Sequence, residues 1–341
     1  MSDPRKHHIV PQLYQKGFAR QQGKGWYAVV LNRQTGEARP PSNVRDIFAE
    51  RDYNTVLDAD GSRDSVAERV LAEHVEDAAK HGLDALRAGA FPLSDIDRQQ
   101  VAVFMAAQLS RGRALRSNFS EALSEVMSMA LSMSAQYGSD EHFESILGHP
   151  LSADERERLL HNKDHMTIRP TNAALLEPML ASIAGIAEKL LIRTWTLVIF
   201  PEPCLFTGEH PVVHITPNPE SMGYGVVTAE RLYMPVSTTT ALVLSHPWAG
   251  WPEAVVHGTE ELARRLNWAV LTHPSNRELL LHPDVAHHPL PSPTELGKDT
   301  HWPWGSDPAS APPAHRIYGA ATRFPATEAA DAAPPDQAAA P

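Results

Sequence analysis

A single cysteine, Cys204, in a chain of 341 residues excludes an internal disulfide framework and any CxxC zinc module. No run of about 18 apolar residues occurs, so no transmembrane helix is expected. The leading Met1-Ser-Asp-Pro-Arg-Lys-His-His8 lacks the apolar stretch of a secretory signal, and a soluble, cytoplasmic protein is the expectation. Also missing are a G-x-S-x-G elbow, a P-loop, an H-E-x-x-H pair and a G-x-G-x-x-G turn. Positive charge is the scarcer sign, with 30 Lys and Arg against 41 Asp and Glu and a net charge of −11. Broad binding to duplex nucleic acid needs many neutralising cations, so it is not expected.

What is present suffices for a globular fold. Hydrophobic residues make up 42% of the chain, near the average for domains with a core. At roughly 150 residues per domain, the length allows two domains or one large domain with appendages. Residues 1–33 carry Arg5, Lys6, Lys16, Arg20, Lys24 and Arg33 against Asp3 alone, a basic lead that either faces solvent or meets an anion.

Pattern divides the chain. Pro11, Tyr14 and Phe18 predict a short helix with one aromatic face. Tyr27-Ala-Val-Val-Leu31 and the Gln34-Thr-Gly36 turn predict a hairpin that Pro40-Pro41 ends. Apolar spacing predicts helices over 65–87, from a Ser94-Asp-Ile-Asp97 cap to about Met133, and over 172–191, with Pro178 in the early turns of the last. After Ile192 the period shortens. Strands are expected at 194–200, 232–236 and 239–244, and a closing helix at 260–271. Helices followed by strands indicate α+β: a mainly helical central layer, a small antiparallel sheet in the C-terminal half and an N-terminal β-hairpin. One domain is expected over 1–282, comprising an N-terminal motif and hairpin (1–60), a helical part (61–191) and a β-rich part with its closing helix (192–282). Residues 283–341 are rich in Pro, His and Ala and are expected to be a largely disordered extension.

Three clusters could carry chemistry. In Lys6-His7-His8-Ile-Val-Pro11, adjacent histidines of an extended chain point to opposite faces, so His7 and His8 would rarely share one metal. One could ligate while the other pairs with a carboxylate or phosphate. The string resembles the first strand of ββα-metal (HNH-type) nucleases, although beyond Asn32 the next histidine is His74, inside a predicted helix. On the long helix, Phe104, Gln108, Arg111 and Leu115 share one stripe. Arg111, with Arg113 and Arg116 nearby, either clamps an anion bidentately or pairs with Glu68, Glu73 or Glu76. In Phe206-Thr-Gly-Glu-His-Pro-Val-Val-His214, Glu209 or His210 could ligate a metal or act as general acid or base, or the turn simply caps backbone. If both His210 and His214 lie in a strand, they stand roughly 13 Å apart and share no metal. Cys204 reads as a buried strand residue rather than a nucleophile. His273, His282, His287 and His288 read as a surface tract that binds metal only incidentally.

In this order the three clusters resemble the DUF4238 family. Its opening pattern, His-His-x-Val-Pro-x-x-Tyr-Leu-x-x-Phe, is matched by His7, His8, Val10, Pro11, Tyr14 and Phe18, with Gln15 in the leucine position. Its Phe-x-x-x-Gln-x-x-Arg pattern is matched by Phe104, Gln108 and Arg111. Its Thr-Ser-Asp-Asn-Pro-Val signature resembles Thr207-Gly-Glu-His-Pro-Val212, and Pro235 and Asn267 also fit. The resemblance implies no reaction, but implies that the three clusters meet. On these grounds the expected function is a metal-dependent hydrolase of a phosphodiester or other phosphate-containing substrate, nuclease-like in kind. His8, Glu209, Arg111 and Gln108 are its expected catalytic set, and His7, His8, Glu209 and His210 the expected ligands of a divalent ion. The alternatives are a non-catalytic binding or regulatory module for a small anion or partner, and a non-haem iron tailoring enzyme.

Overall fold

The computed structural model describes residues 6–57, 63–64, 66–139, 141, 144, 150, 152–161, 170–215, 225–246 and 253–285. Of the extension expected over 283–341, Pro283 to Val285 form a turn on the fold, with Pro283 and Val285 buried, and the rest, with His287 and His288, lies outside the described residues. The fold is α+β.

Strands β1 (Lys6–His8), β2 (Arg20–Gln22), β3 (Gly25–Asn32), β4 (Ala38–Asn43) and β5 (Ala49–Arg51) open the chain. Two-residue strands β6 (Val56–Leu57) and β7 (Arg63–Asp64) follow, then helical segments to Tyr137, at Ala153–His161 and at Asn172–Leu191. The second half contributes β8 (Thr194–Ile199), β9 (Thr207–Gly208), β10 (Val213–Ile215), β11 (Arg231–Pro235), β12 (Thr240–Ser245), β13 (Ala254–His257), the helix Glu260–Thr272 and β14 (Glu278–Leu281).

Among the described residues one five-stranded sheet runs β10-β11-β12-β8-β13, antiparallel except where β13 lies parallel to β8. A second runs β2-β3-β14-β9, with β4 also on β3. The N-terminal hairpin is therefore no separate piece: Val29 to Asn32 pair with Leu281 to Glu278. Pro40 and Pro41 do not end β4, because they fall at the bulge between Ala28 and Val30, where the missing N–H groups cost no ladder bond.

Both faces of the first sheet are covered, which explains its unbroken apolar runs. Leu197, Leu232, Met234 and Leu242 face the helices with Phe104, Leu83 and Leu190. Their alternate neighbours Val198, Tyr233 and Val243 face Leu262, Leu266 and Val270 of the closing helix and Leu279 of β14.

The helix capped by Ser94 stops at Arg111 rather than near Met133. Ser94 Oγ accepts the Asp97 N–H at 3.2 Å and donates to its carboxylate at 2.6 Å, as the cap sequence predicts. Gly112 is extended (φ −60°, ψ 143°), and a new helix runs Arg113–Tyr137. Glycine is needed at the break, because a Cβ there would stand 2.8 Å from His210 Nδ1.

Candidate functional site

The three sequence clusters meet around Tyr14. Its buried ring lies 6.0 Å from that of Phe104 and 5.6 Å from that of Phe18. Its hydroxyl donates to the Pro235 carbonyl at 2.6 Å and takes a 2.9 Å hydrogen bond with Thr207 Oγ1. Gln15, where the family pattern has leucine, keeps its amide buried by donating to the Val10 and Ile47 carbonyls at 2.6 and 3.1 Å. Asn267 pins the loop before Thr207, accepting from the Phe206 N–H at 3.3 Å and donating to the Cys204 carbonyl at 2.7 Å. Cys204 sits half-buried in that loop rather than in a strand, and burial pushes its thiol up to about 12.

The polar residues separate into three groups. In the first, His7 is fully buried and its Nδ1 accepts the Asn54 N–H at 2.9 Å, with Glu68 at 3.9 Å. His8 turns the other way, as strand alternation requires, and its Nε2 donates to the Arg45 carbonyl at 3.2 Å. Burial lowers its pKa, opposed by that hydrogen bond. Asn32 takes up an Asx turn, accepting from the Gln34 and Thr35 N–H groups, and His74 lies within the helical segment Leu71–Glu76.

In the second group, Arg111 donates to Glu76 at 2.9 Å, and the Gln108 amide, its oxygen assigned by the hydrogen-bond network to face the same guanidinium, accepts from Nη2 at 2.6 Å and Nε at 3.2 Å. The Arg111 side chain is 4% exposed, and Tyr53 donates to its carbonyl at 3.1 Å. This is the ion pair to the preceding helix that the sequence offered as one option. Burial pushes the Glu76 carboxyl up, and Arg111 opposes the shift.

The third group faces open space. Glu209, 4% exposed, holds Arg113 Nη1 at 2.8 Å with one oxygen and the Arg277 N–H at 2.7 Å with the other. Arg113 also reaches Glu50 of β5 at 3.3 Å. Burial alone would lower the Arg113 pKa, but hydrogen bonds and charge from Glu209 and Glu50 outweigh it and hold it above the ordinary arginine value. Asn276, fully buried, fixes the turn: its Oδ1 accepts the His210 N–H at 2.7 Å and its Nδ2 donates to the Val270 carbonyl at 2.9 Å. Gly208 is required there, because a Cβ would fall 2.4 Å from that same Oδ1. Beside these groups opens a cleft of about 550 Å³, whose walls include Arg39, Asp46, Phe48, Arg113, Glu209 and Arg277. Phe48 lies there with φ +48°, an uncommon conformation for a bulky residue.

Behind the cleft His210 stacks on His273, ring centroids 4.7 Å apart and planes 11° apart, with His214 at 6.2 Å from the same ring. The two residues of the loop thus approach one another through His273, because His210 precedes β10 rather than extending it. Burial, with repulsion among the rings, lowers His210 to about 4 and His273 to about 3; burial, with the charge of Arg193, lowers His214 as well. His273 caps the closing helix and is no part of a surface tract.

Of the expected site residues, Glu209 alone lines the cleft; Arg111 and Gln108 are joined to Glu76, and His210 to the histidine stack. Among the described residues no group of three or more His, Cys, Asp or Glu side chains is placed to hold a metal ion. Arg277 and Asn276 escaped the sequence reading because they follow the closing helix in a stretch with no periodic signal. Half of the six cations of the basic leading segment are spent internally: Lys6 pairs with Asp46, Arg20 with Asp284 at 2.9 Å, and Arg33 donates to the Leu271 and His273 carbonyls. No described helix is long and apolar enough to cross a membrane.

The chain belongs to the DUF4238 family, described as proteins of unknown function, whose family model matches residues 6–284. No curated protein and no solved structure matches it.

Proposed function

We propose that the protein binds a small anionic ligand, carrying phosphate or carboxylate, in the cleft between Arg113 and Arg277. The observation that carries this reading is the charge pairing of the walls. Arg39 is matched by Glu278 at 2.6 Å and Arg113 by Glu209, whereas the Arg277 guanidinium lines the cleft exposed and without an ion pair among the described residues. A planar donor fork beside a second, partly engaged arginine suits a bidentate oxyanion. Small size matters, because a protein of net charge −11 repels an extended polyanion while a local cationic wall attracts a compact one.

Hydrolysis of a phosphate ester is a second reading, favoured by the buried Glu209 carboxylate on the same wall. The described residues form no closed cage for a divalent ion. A hard cation that keeps its waters and bridges one carboxylate to the ligand's own phosphate is the form that fits such a site. His8 turns toward the Arg45 carbonyl and supports this reading less than Glu209 does.

The test is thermal denaturation of the whole chain with inorganic phosphate, pyrophosphate and citrate, alone and with Mg2+ or Mn2+. Saturable stabilisation lost in Arg277→Ala supports binding; no stabilisation by any of them overturns it. Metal-dependent cleavage of bis(4-nitrophenyl) phosphate, abolished in Glu209→Gln, would add hydrolysis.

A further inference from the structure

The helix Arg113–Tyr137 packs its inner side against Asp95–Arg111, Ala153–His161 and Asn172–Leu191. Its outer side carries an apolar stripe towards its C-terminal end. Leu115, Val126, Met129, Met133 and Tyr137 fall on one stripe at helical spacing, and Val126, Met129, Met133 and Tyr137 are 62%, 66%, 57% and 77% exposed. Met127, 40% exposed, lies beside them. From Val126 to Tyr137 the stripe is about 17 Å long at the α-helical rise. Scattered exposed apolar residues need no explanation, but a continuous stripe of this length marks a contact surface. Methionines on it can repack around different shapes, as adaptable binding surfaces do.

Charge indicates what fits. Glu121 and Glu125 flank the stripe on one side, both exposed. From residue 118 to 161 the sequence carries eight acidic residues against Arg156 and Arg158, more than half of the net charge of the whole chain. A second copy would bring the same acidic flank against itself, and membranes with anionic headgroups would be repelled.

We propose that the outer face of this helix docks a basic amphipathic helix of a partner protein, whose apolar side covers Val126, Met129, Met133 and Tyr137 while its lysines or arginines meet Glu121 and Glu125. This is helix-in-groove recognition with anchors at i, i+3, i+7 and i+11. The surface lies on a different element from the cleft walls other than Arg113, and the proposal stands independently of ligand binding there.

The probe is a fluorescein-labelled, 18-residue amphipathic peptide of leucine and lysine, titrated with the full chain and followed by anisotropy. A peptide with glutamate in place of lysine is the control. The expected result is saturable binding of the lysine peptide only, weakened at least about tenfold by Met129→Ser with Met133→Ser. Glu121→Gln with Glu125→Gln should weaken it too, and remove most of its salt dependence. These exposed positions leave the fold intact, which circular dichroism verifies. Equal binding of both peptides, or variants that bind like the parent, would overturn the proposal. So would a dimer in sedimentation that the methionine variant dissociates, since the stripe would then be covered by a second copy.

Discussion

A methyl group at position 112 would stand 2.8 Å from His210 Nδ1, and no flexible side-chain end is there to yield, only a ring held in a stack. Gly112→Ala is expected to cost about 1–3 kcal/mol, read as a fall in midpoint on denaturant unfolding. Tyr14→Phe removes a hydroxyl that serves both Pro235 and Thr207 in a dry core, and about 1–2 kcal/mol should be lost with little change of fold. The histidine stack makes stability depend on pH. In the fold His210, His214 and His273 are held neutral, with pKa values lowered by burial, to about 4 for His210 and about 3 for His273. The unfolded chain takes up these protons near pH 6.5. Below that value it binds more protons than the fold does, so stability falls as pH drops from about 6.5 towards the folded values, and is unaffected above it. Each histidine contributes at most about 1.4 kcal/mol per pH unit. Unfolding midpoints at pH 7.5, 6 and 5 should fall progressively, and less steeply in His273→Gln; parallel slopes would show the stack is not the cause.

Elements were legible where one residue and its near neighbours decide the outcome. Ser94 and Asp97 state a helix start in four residues, and Ser94→Ala should cost about 1 kcal/mol of unfolding free energy through the lost cap. The helices 66–87, 172–191 and 260–272 follow from apolar periodicity, β8 from a β-branched and aromatic run, and β11 and β12 from short stretches bounded by turn residues. Short strands did not announce themselves. β1, β5 and β9 have two or three residues each, too few to show a period, and exist because distant partners supply their hydrogen bonds. The need for glycine at the break between the helices is set by His210, nearly a hundred residues away, which a local pattern cannot reveal. For the same reason the sequence pointed to Arg111 while the cleft is served by Arg113. Both lie near the helix break, and the direction of each depends on how the chain turns there.

At the scale of the molecule, the cleft is assembled from pieces remote in sequence: β3, β4 and the turn before β5, the helix start at Arg113, the Glu209 loop and the segment before β14. Binding therefore reports on the whole fold. Arg113→Gln is expected both to weaken phosphate binding, seen as a reduced thermal shift, and to destabilise the free protein by about 1–3 kcal/mol, because Glu209 stays buried with the Arg277 N–H as its remaining partner. Arg277→Ala should weaken binding to a similar degree and leave the free protein's midpoint nearly unchanged, since the guanidinium is exposed and makes no ion pair among the described residues. That contrast separates recognition from support.

The pairing of β3 with β14 has a consequence during synthesis. Val29 to Asn32 leave the ribosome some 250 residues before the strand that completes them, Glu278 to Leu281. At about 5–20 residues per second, the hairpin waits roughly 10–50 s with one backbone edge unsatisfied. Nascent chains shorter than about 280 residues thus present a ready template for a foreign strand, and the last strand to emerge is the one that closes it.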